Sequence, residues 1–136
     1  MIPYYTKCGK LAGSNYSEVR KSANFIFKNI KSRTKWRPYV RSAYFNKQKI
    51  FFDYFWEHLT QKRPPERFRR LKYFLAAIEL IRNSRNEPSS KENPNRPSEI
   101  LHRFAGLTKN KDLFYVQIKE DKKSERKYFM SCFPPE

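Results

Sequence analysis

"LFYVQIKEDKKSERKYFMSCFPPE", residues 113–136, sets an apolar run, a charged turn and a second apolar run in front of two prolines. Val116 and Ile118 alternate with Gln117 and Lys119, and Tyr128 and Met130 alternate with Phe129 and Ser131. A period of two belongs to a strand whose side chains leave alternate faces of a sheet. "DLFYVQIKE" (112–120) and "RKYFMSCF" (126–133) therefore predict two antiparallel strands joined by the polar turn "DKKSE". "ILHRFAGLT" (100–108), one short turn upstream, supplies a third strand, so the chain closes on a three-stranded meander.

Working back from the meander, "RNEPSSKENPNRPS" (85–98) holds three prolines among Asn and Ser and predicts a loop. Before it, "ERFRRLKYFLAAIELIRNS" (66–84) predicts one helix. Phe68, Leu71, Phe74, Leu75, Ile78 and Ile81 form its buried stripe, with Arg67, Arg70 and Lys72 on the wet side. Pro65 suits its first turn. "YVRSAYF" (39–45) and "KIFFDYF" (49–55) read as a hairpin of aromatic-rich strands, although Asp53 can instead cap a short helix over 54–62. From Glu18 to Lys31 apolar residues recur at helical spacing with Lys21, Lys28 and Lys31 opposite, and Ser14, Asn15 or Ser17 can cap this helix. The first fifteen residues read as a loose arm. The expected fold is α+β: N-terminal helices packed on a twisted antiparallel β-sheet that ends in the meander. It is a single domain over 1–136, with a basic arm and helix in 1–35 and the core in 36–136.

Composition narrows the function. Aromatic residues reach 17%, enough bulk to fold, and the net charge is +17. Self-repulsion of that size lowers stability, so it usually serves a polyanionic partner. Residues 1–35 carry eight Lys or Arg against Glu18 alone, and residues 63–85 carry seven against two acids, so the charge lies on the helices. No apolar run approaches the roughly 20 residues of a membrane span, and the N-terminus lacks a signal-peptide core. A soluble cytoplasmic protein is expected. Cys8 and Cys132 fit either one disulfide or two thiols.

The sequence excludes several chemistries. Two His and two Cys at wide spacing make no metal motif, and three Gly cannot build a phosphate-cradling loop. Ser131 lies in a strand and not in the elbow that a Ser-His-Asp hydrolase needs. No cofactor is expected. What remains is a metal-free set of His, Lys, Arg, Ser and Tyr on a basic surface. RNA brings its own nucleophile, the 2′-hydroxyl, so cleavage needs a proton acceptor, a proton donor and cations around the phosphate. His58 and His102 are the natural proton carriers. Lys119 and Arg103 are phosphate ligands, and Ser131 can hold a phosphate oxygen. Arg69 and Arg70 add phosphate contacts, and Tyr115 and Phe133 offer stacking surfaces for bases. Each has a plainer reading: His58 as a packed helix residue, His102 at a strand edge, Lys119 in a solvated charge run, Ser131 as core filler.

"FDYFWEHL", "RRLKYFLAAIELIRNS" and the closing stretch from Ile100 to Pro134 together resemble the phage-encoded barnase–EndoU–colicin–RelE-like (BECR) ribonucleases, over roughly residues 50–134. The resemblance implies helices ahead of a twisted antiparallel sheet, RNA against the sheet face and no metal. It implies a late-strand Ser followed two positions on by an aromatic, here Ser131 and Phe133, and a strand delivering a basic residue, here Lys119. His58, His102 and Arg103 are then the acid–base and phosphate candidates. The expected partners are RNA and an acidic antitoxin or immunity protein. The alternative is a basic nucleic-acid-binding protein that does not cut. Lys119 and Ser131 are expected on one face of the sheet, pointing away from helix 66–84 into a basic cleft that His102 or His58 also lines.

Overall fold

Four helices and seven strands follow one another in a computed structural model that describes all of residues 1–136. They are β1 (Tyr4–Tyr5), α1 (Tyr16–Ser32), β2 (Tyr39–Ser42), β3 (Gln48–Phe51), α2 (Phe55–Thr60), α3 (Pro64–Leu71) and α4 (Phe74–Asn83). β4 (Ser89–Asn93), β5 (Arg96–Leu107), β6 (Leu113–Asp121) and β7 (Lys127–Phe133) complete the chain. The class is α+β, and the meander β5–β6–β7 is antiparallel as its alternation requires. The sheet runs β1-β5-β6-β7-β3-β2, with β4 also on β5. It is mixed and not purely antiparallel, because β1 lies parallel to β5 and β3 parallel to β7. No helix is long and apolar enough to cross a membrane.

Alternation decides which side chains meet the helices. Phe114, Val116 and Ile118 of β6 are buried with Phe129 and Cys132 of β7, while Tyr115, Gln117 and Lys119 leave the other face. Phe129 stacks on Phe55 of α2 at 4.5 Å between ring centroids and reaches Phe74 of α4 at 6.4 Å. Each such ring contributes roughly 1.5–3 kcal/mol relative to an exposed one. Gly106, opposite Phe114, leaves room for this packing. A Cβ there would stand 2.4 Å from the Phe114 ring, which is itself held against Tyr73.

Three expectations change. The helix expected over 66–84 is two helices, broken at Lys72–Tyr73. The Lys72 carbonyl accepts from Leu11 N at 2.8 Å, so the N-terminal arm interrupts the helical ladder. That arm is accordingly not loose. Its β1 pairs with Gly106 and Leu107, and the Glu79 carboxylate accepts from Lys7 N (2.8 Å) and Cys8 N (3.3 Å). Burial, with the Glu79 contact, pushes the Cys8 thiol up to about 11, and both cysteines are free. Finally, 85–98 is not a plain loop. It contains β4 and the start of β5, joined by a tight turn in which Asn93 Oδ1 accepts from Asn95 N. Pro88 precedes β4, Pro94 occupies the turn, and Pro97 falls in the bulge between Glu92 and Asn93, so no proline removes a needed ladder bond.

The cap of α1 is Asn15. Its side chain accepts from Glu18 N while the Glu18 carboxylate accepts from N and Oγ of Ser14, the residue before the cap, so the first turn is held from both sides. These Ser14 bonds hold the Glu18 carboxyl below the usual range.

Candidate active site on the open face of the sheet

The register aligns one row of side chains across the meander. Arg103 of β5 is opposite Gln117 of β6, which is opposite Ser131 of β7. The next row on the same face is Ala105, Tyr115 and Phe133, and the row on the other side is Leu101, Lys119 and Tyr128. Beyond Lys127 and Tyr128, β7 runs past the end of β3, and α2 and α3 pack along it instead. Their side chains therefore meet the rows of the open face at the sheet's margin.

There an open cleft of about 610 Å³ forms. His58 of α2 and Lys62 just beyond it line one side, and Glu66 and Arg70 of α3 continue that wall. Arg103, Gln117 and Ser131 form the floor, with Tyr115 and Phe133 beside them. The Arg70 and Arg103 guanidinium carbons each lie 5.1 Å from the centre of the Phe133 ring, so one aromatic ring organises two cations. Gln117 Oε1 accepts from Arg103 at 3.4 Å, and Glu66 accepts from Arg70 Nε at 3.2 Å. Guanidinium forks held in this way suit a phosphate.

His58 differs from every other group in the cleft. Its neighbours in α2, Phe55 and Leu59, are buried, which holds the helix against the core and leaves the imidazole half-buried at its edge. Its Nδ1 is enclosed without a hydrogen-bond partner. Burial lowers its pKa below the ordinary histidine value, and the positive charges of Lys62 and Arg70 lower it further. At neutral pH the ring is neutral and able to accept a proton.

Several expected site residues are brought together here: His58, Ser131, Arg70, Arg103, Tyr115 and Phe133. Others are not. His102 is neighbour to Arg103 on one strand, so the pleat sends it to the opposite face. It is 7% exposed, with Nδ1 2.6 Å from Ser90 Oγ and Nε2 2.8 Å from Glu120 Oε1. A carboxylate only accepts, so Nε2 carries the hydrogen that it donates to Glu120. Lys119 shares the open face but lies outside the cleft. Its ammonium pairs with Glu99 at 3.3 Å and sits over the Tyr54 ring at 4.2 Å. Arg69 turns to Glu66 at 2.9 Å.

Ser131 reaches the open face by a route that simple alternation does not describe. Strict alternation with Ser131 on the open face would put Met130 on the core side, but Met130 is the extra residue of a bulge between the pairs Gln117–Ser131 and Ile118–Phe129. The bulge turns Phe129 into the core and keeps both Tyr128 and Ser131 on the open face. Ser131 is 6% exposed at the cleft floor. Lys62 and Gln117 were not singled out from the sequence. Lys62 follows His58 by one helical turn, and Gln117 shares the phase of Tyr115 and Lys119, so both were accessible to spacing arguments.

No group of three or more His, Cys, Asp and Glu side chains gathers to hold a metal ion. Compared with known proteins, the chain matches no family model, no curated protein and no solved structure.

Proposed function

We propose that the chain is a metal-independent endoribonuclease of the BECR kind, with the cleft between α2, α3 and the open face of the meander as its active site. One observation carries the reading: a neutral, half-buried histidine and a strand serine line the same cleft as two arginines organised on one aromatic ring. In this mechanism His58 takes the proton of a ribose 2′-hydroxyl. The 2′-oxygen bonds to phosphorus as the bond to the 5′-oxygen breaks, and Lys62 supplies the proton that the departing 5′-oxygen needs. Arg70 and Arg103 stabilise the charge on the phosphate oxygens, and Ser131 donates to one of them. The products are a 2′,3′-cyclic phosphate and a 5′-hydroxyl. Tyr115 and Phe133 stack on the flanking bases.

The net charge of +17 supports RNA as the substrate and sets a salt dependence, because bound Lys and Arg release counterions from the strand. The test is incubation of the protein with end-labelled RNA in EDTA. Fragments ending in cyclic phosphate are expected. Replacing Ser131 by Ala is expected to slow their formation about tenfold, the worth of one hydrogen bond to a charged oxygen. RNA that is bound but stays intact would leave the chain as a non-cutting nucleic-acid-binding protein.

A further inference from the structure

A second basic concavity lies away from the cleft. The last turn of α1, the β2–β3 hairpin and the C-terminal end of α4 enclose about 680 Å³. Five cations line it: Arg33, Arg41, Lys47, Arg82 and Arg85. No carboxylate lines it, and none of the five takes part in an ion pair. In the cleft, by contrast, Arg70 shares Glu66. Partial burial and the nearby charge of Arg33 lower the pKa of Arg82. Like charges gathered in a concave, partly dry site repel one another until an anion enters. Ile30, Val40 and Ala43 give the concavity an apolar part.

A separate observation concerns the loop that joins α1 to β2, which supplies Arg33 and Thr34 to the concavity. At its centre Trp36 is 99% exposed and holds a left-handed backbone, φ 69°. Non-glycine residues rarely adopt that region, and an indole wholly in water lacks any packing reason to be there. Lys35 and Arg37 flank it.

We infer that this concavity is a nucleotide-binding site, in which Arg33, Arg82 and Arg85 hold a terminal phosphate group and Trp36 stacks on the base. Guanidinium forks match phosphate oxygens, and a tryptophan face accepts any base. The site does not depend on whether the cleft cuts RNA. Its ligand is either a free nucleotide or the phosphorylated end of a strand.

Titration at low salt in EDTA, read by tryptophan fluorescence and calorimetry, separates these cases. The probes are ATP, a 5′-phosphorylated trinucleotide, pyrophosphate and adenosine. ATP or the trinucleotide is expected to bind at least about tenfold more tightly than adenosine, with quenching of Trp36. The tighter of the two identifies the source of the phosphate. Arg33→Gln with Arg82→Gln is expected to weaken binding by about tenfold or more, and Arg85→Gln alone gives a second reading if the pair disturbs folding. Trp36→Ala is expected to weaken ATP and leave pyrophosphate unchanged. Binding that is lost equally in Arg103→Gln, in the other cleft, would overturn the inference. So would pyrophosphate and ATP affinities that neither the arginine nor the Trp36 variants alter.

Discussion

The chain has two histidines, and the fold gives them opposite environments. His102 is closed in: Ser90 and Glu120 take both ring nitrogens, Phe45 packs on the ring at 5.0 Å, and Lys127 stands 3.8 Å from the same Glu120 oxygen. His58 stands at the margin of an open cleft among cations, with Nδ1 unpartnered. A complete hydrogen-bond set fixes a side chain, whereas His58, its Nδ1 enclosed, keeps Nε2 as the ring nitrogen that can exchange a proton with a ligand in the cleft. Geometry alone makes Ser90–His102–Glu120 resemble a catalytic relay, yet the ring is buried on the face away from the cleft. The comparison therefore assigns a structural role to His102 and, under the proposed function, leaves the chemistry to His58.

The largest expected effect tests the closed side. Glu120→Ala removes the one carboxylate beside Lys127, 5% exposed, whose ammonium keeps only the neutral acceptors Gln48 Oε1 and the Glu125 carbonyl, and leaves His102 Nε2 without an acceptor. Breaking a buried pair from one side should destabilise the protein by about 3 kcal/mol. The measurement is urea unfolding, with a lower midpoint at unchanged slope. Cleavage per folded molecule should stay at the wild-type level. Unchanged stability would mean that the cluster is not held by these bonds.

His58→Ala tests the open side and should do the reverse. Loss of a general base lowers the rate about 10²-fold or more, close to 2.7 kcal/mol of barrier, while the urea midpoint moves little. Added imidazole should restore part of the rate, which a merely structural defect would not allow. If His102→Ala abolishes cleavage in a folded protein and His58→Ala does not, the comparison is inverted.

How far the sequence carries this contrast depends on the residue. The meander was legible because Val116, Ile118 and their neighbours alternate strictly. The same period already separates His102 from Arg103, so the two could never have served one face, although composition alone ranks the histidines equally. The bulge at Met130 left no mark in the pattern, since "YFMSC" fits two phases and only the fit of Phe129 between Phe52 and Phe55 selects one. The break between α3 and α4 was hidden for another reason. It is imposed by Leu11, about sixty positions earlier in the chain, through the Lys72 carbonyl. Local propensity carries no trace of a contact so distant in sequence.

A smaller effect sharpens the assignment of His58 through pH. Its folded pKa is lowered by burial and by Lys62 and Arg70. The neutral form is therefore favoured in the folded state, and the unfolded chain binds more protons just below the ordinary histidine value near 6.5. The contribution to stability is present above that value and fades as pH falls toward the folded pKa. Cleavage should follow the same group, rising with pH on an acid limb whose midpoint lies below 6.5. In His58→Ala that limb should vanish. A midpoint above 6.5 would contradict the cationic surroundings of the ring.

The smallest expected effect concerns Lys119, which the sequence pattern marked as strongly as Ser131. Both leave the open face, but Lys119 lies one row further along, opposite Leu101 and Tyr128. Its charge is already engaged by Glu99 at 3.3 Å and by the Tyr54 ring at 4.2 Å. A phosphate in the cleft would have to draw the ammonium out of both contacts. Lys119→Ala should therefore change the cleavage rate by no more than about twofold, the scale of a substitution away from a working site. Glu99→Gln removes the partner and frees the ammonium, so any electrostatic reach of Lys119 toward RNA should increase in that variant. A loss of 10²-fold in Lys119→Ala would move the active site one row along the sheet and make Tyr54 and Tyr128 its stacking surface.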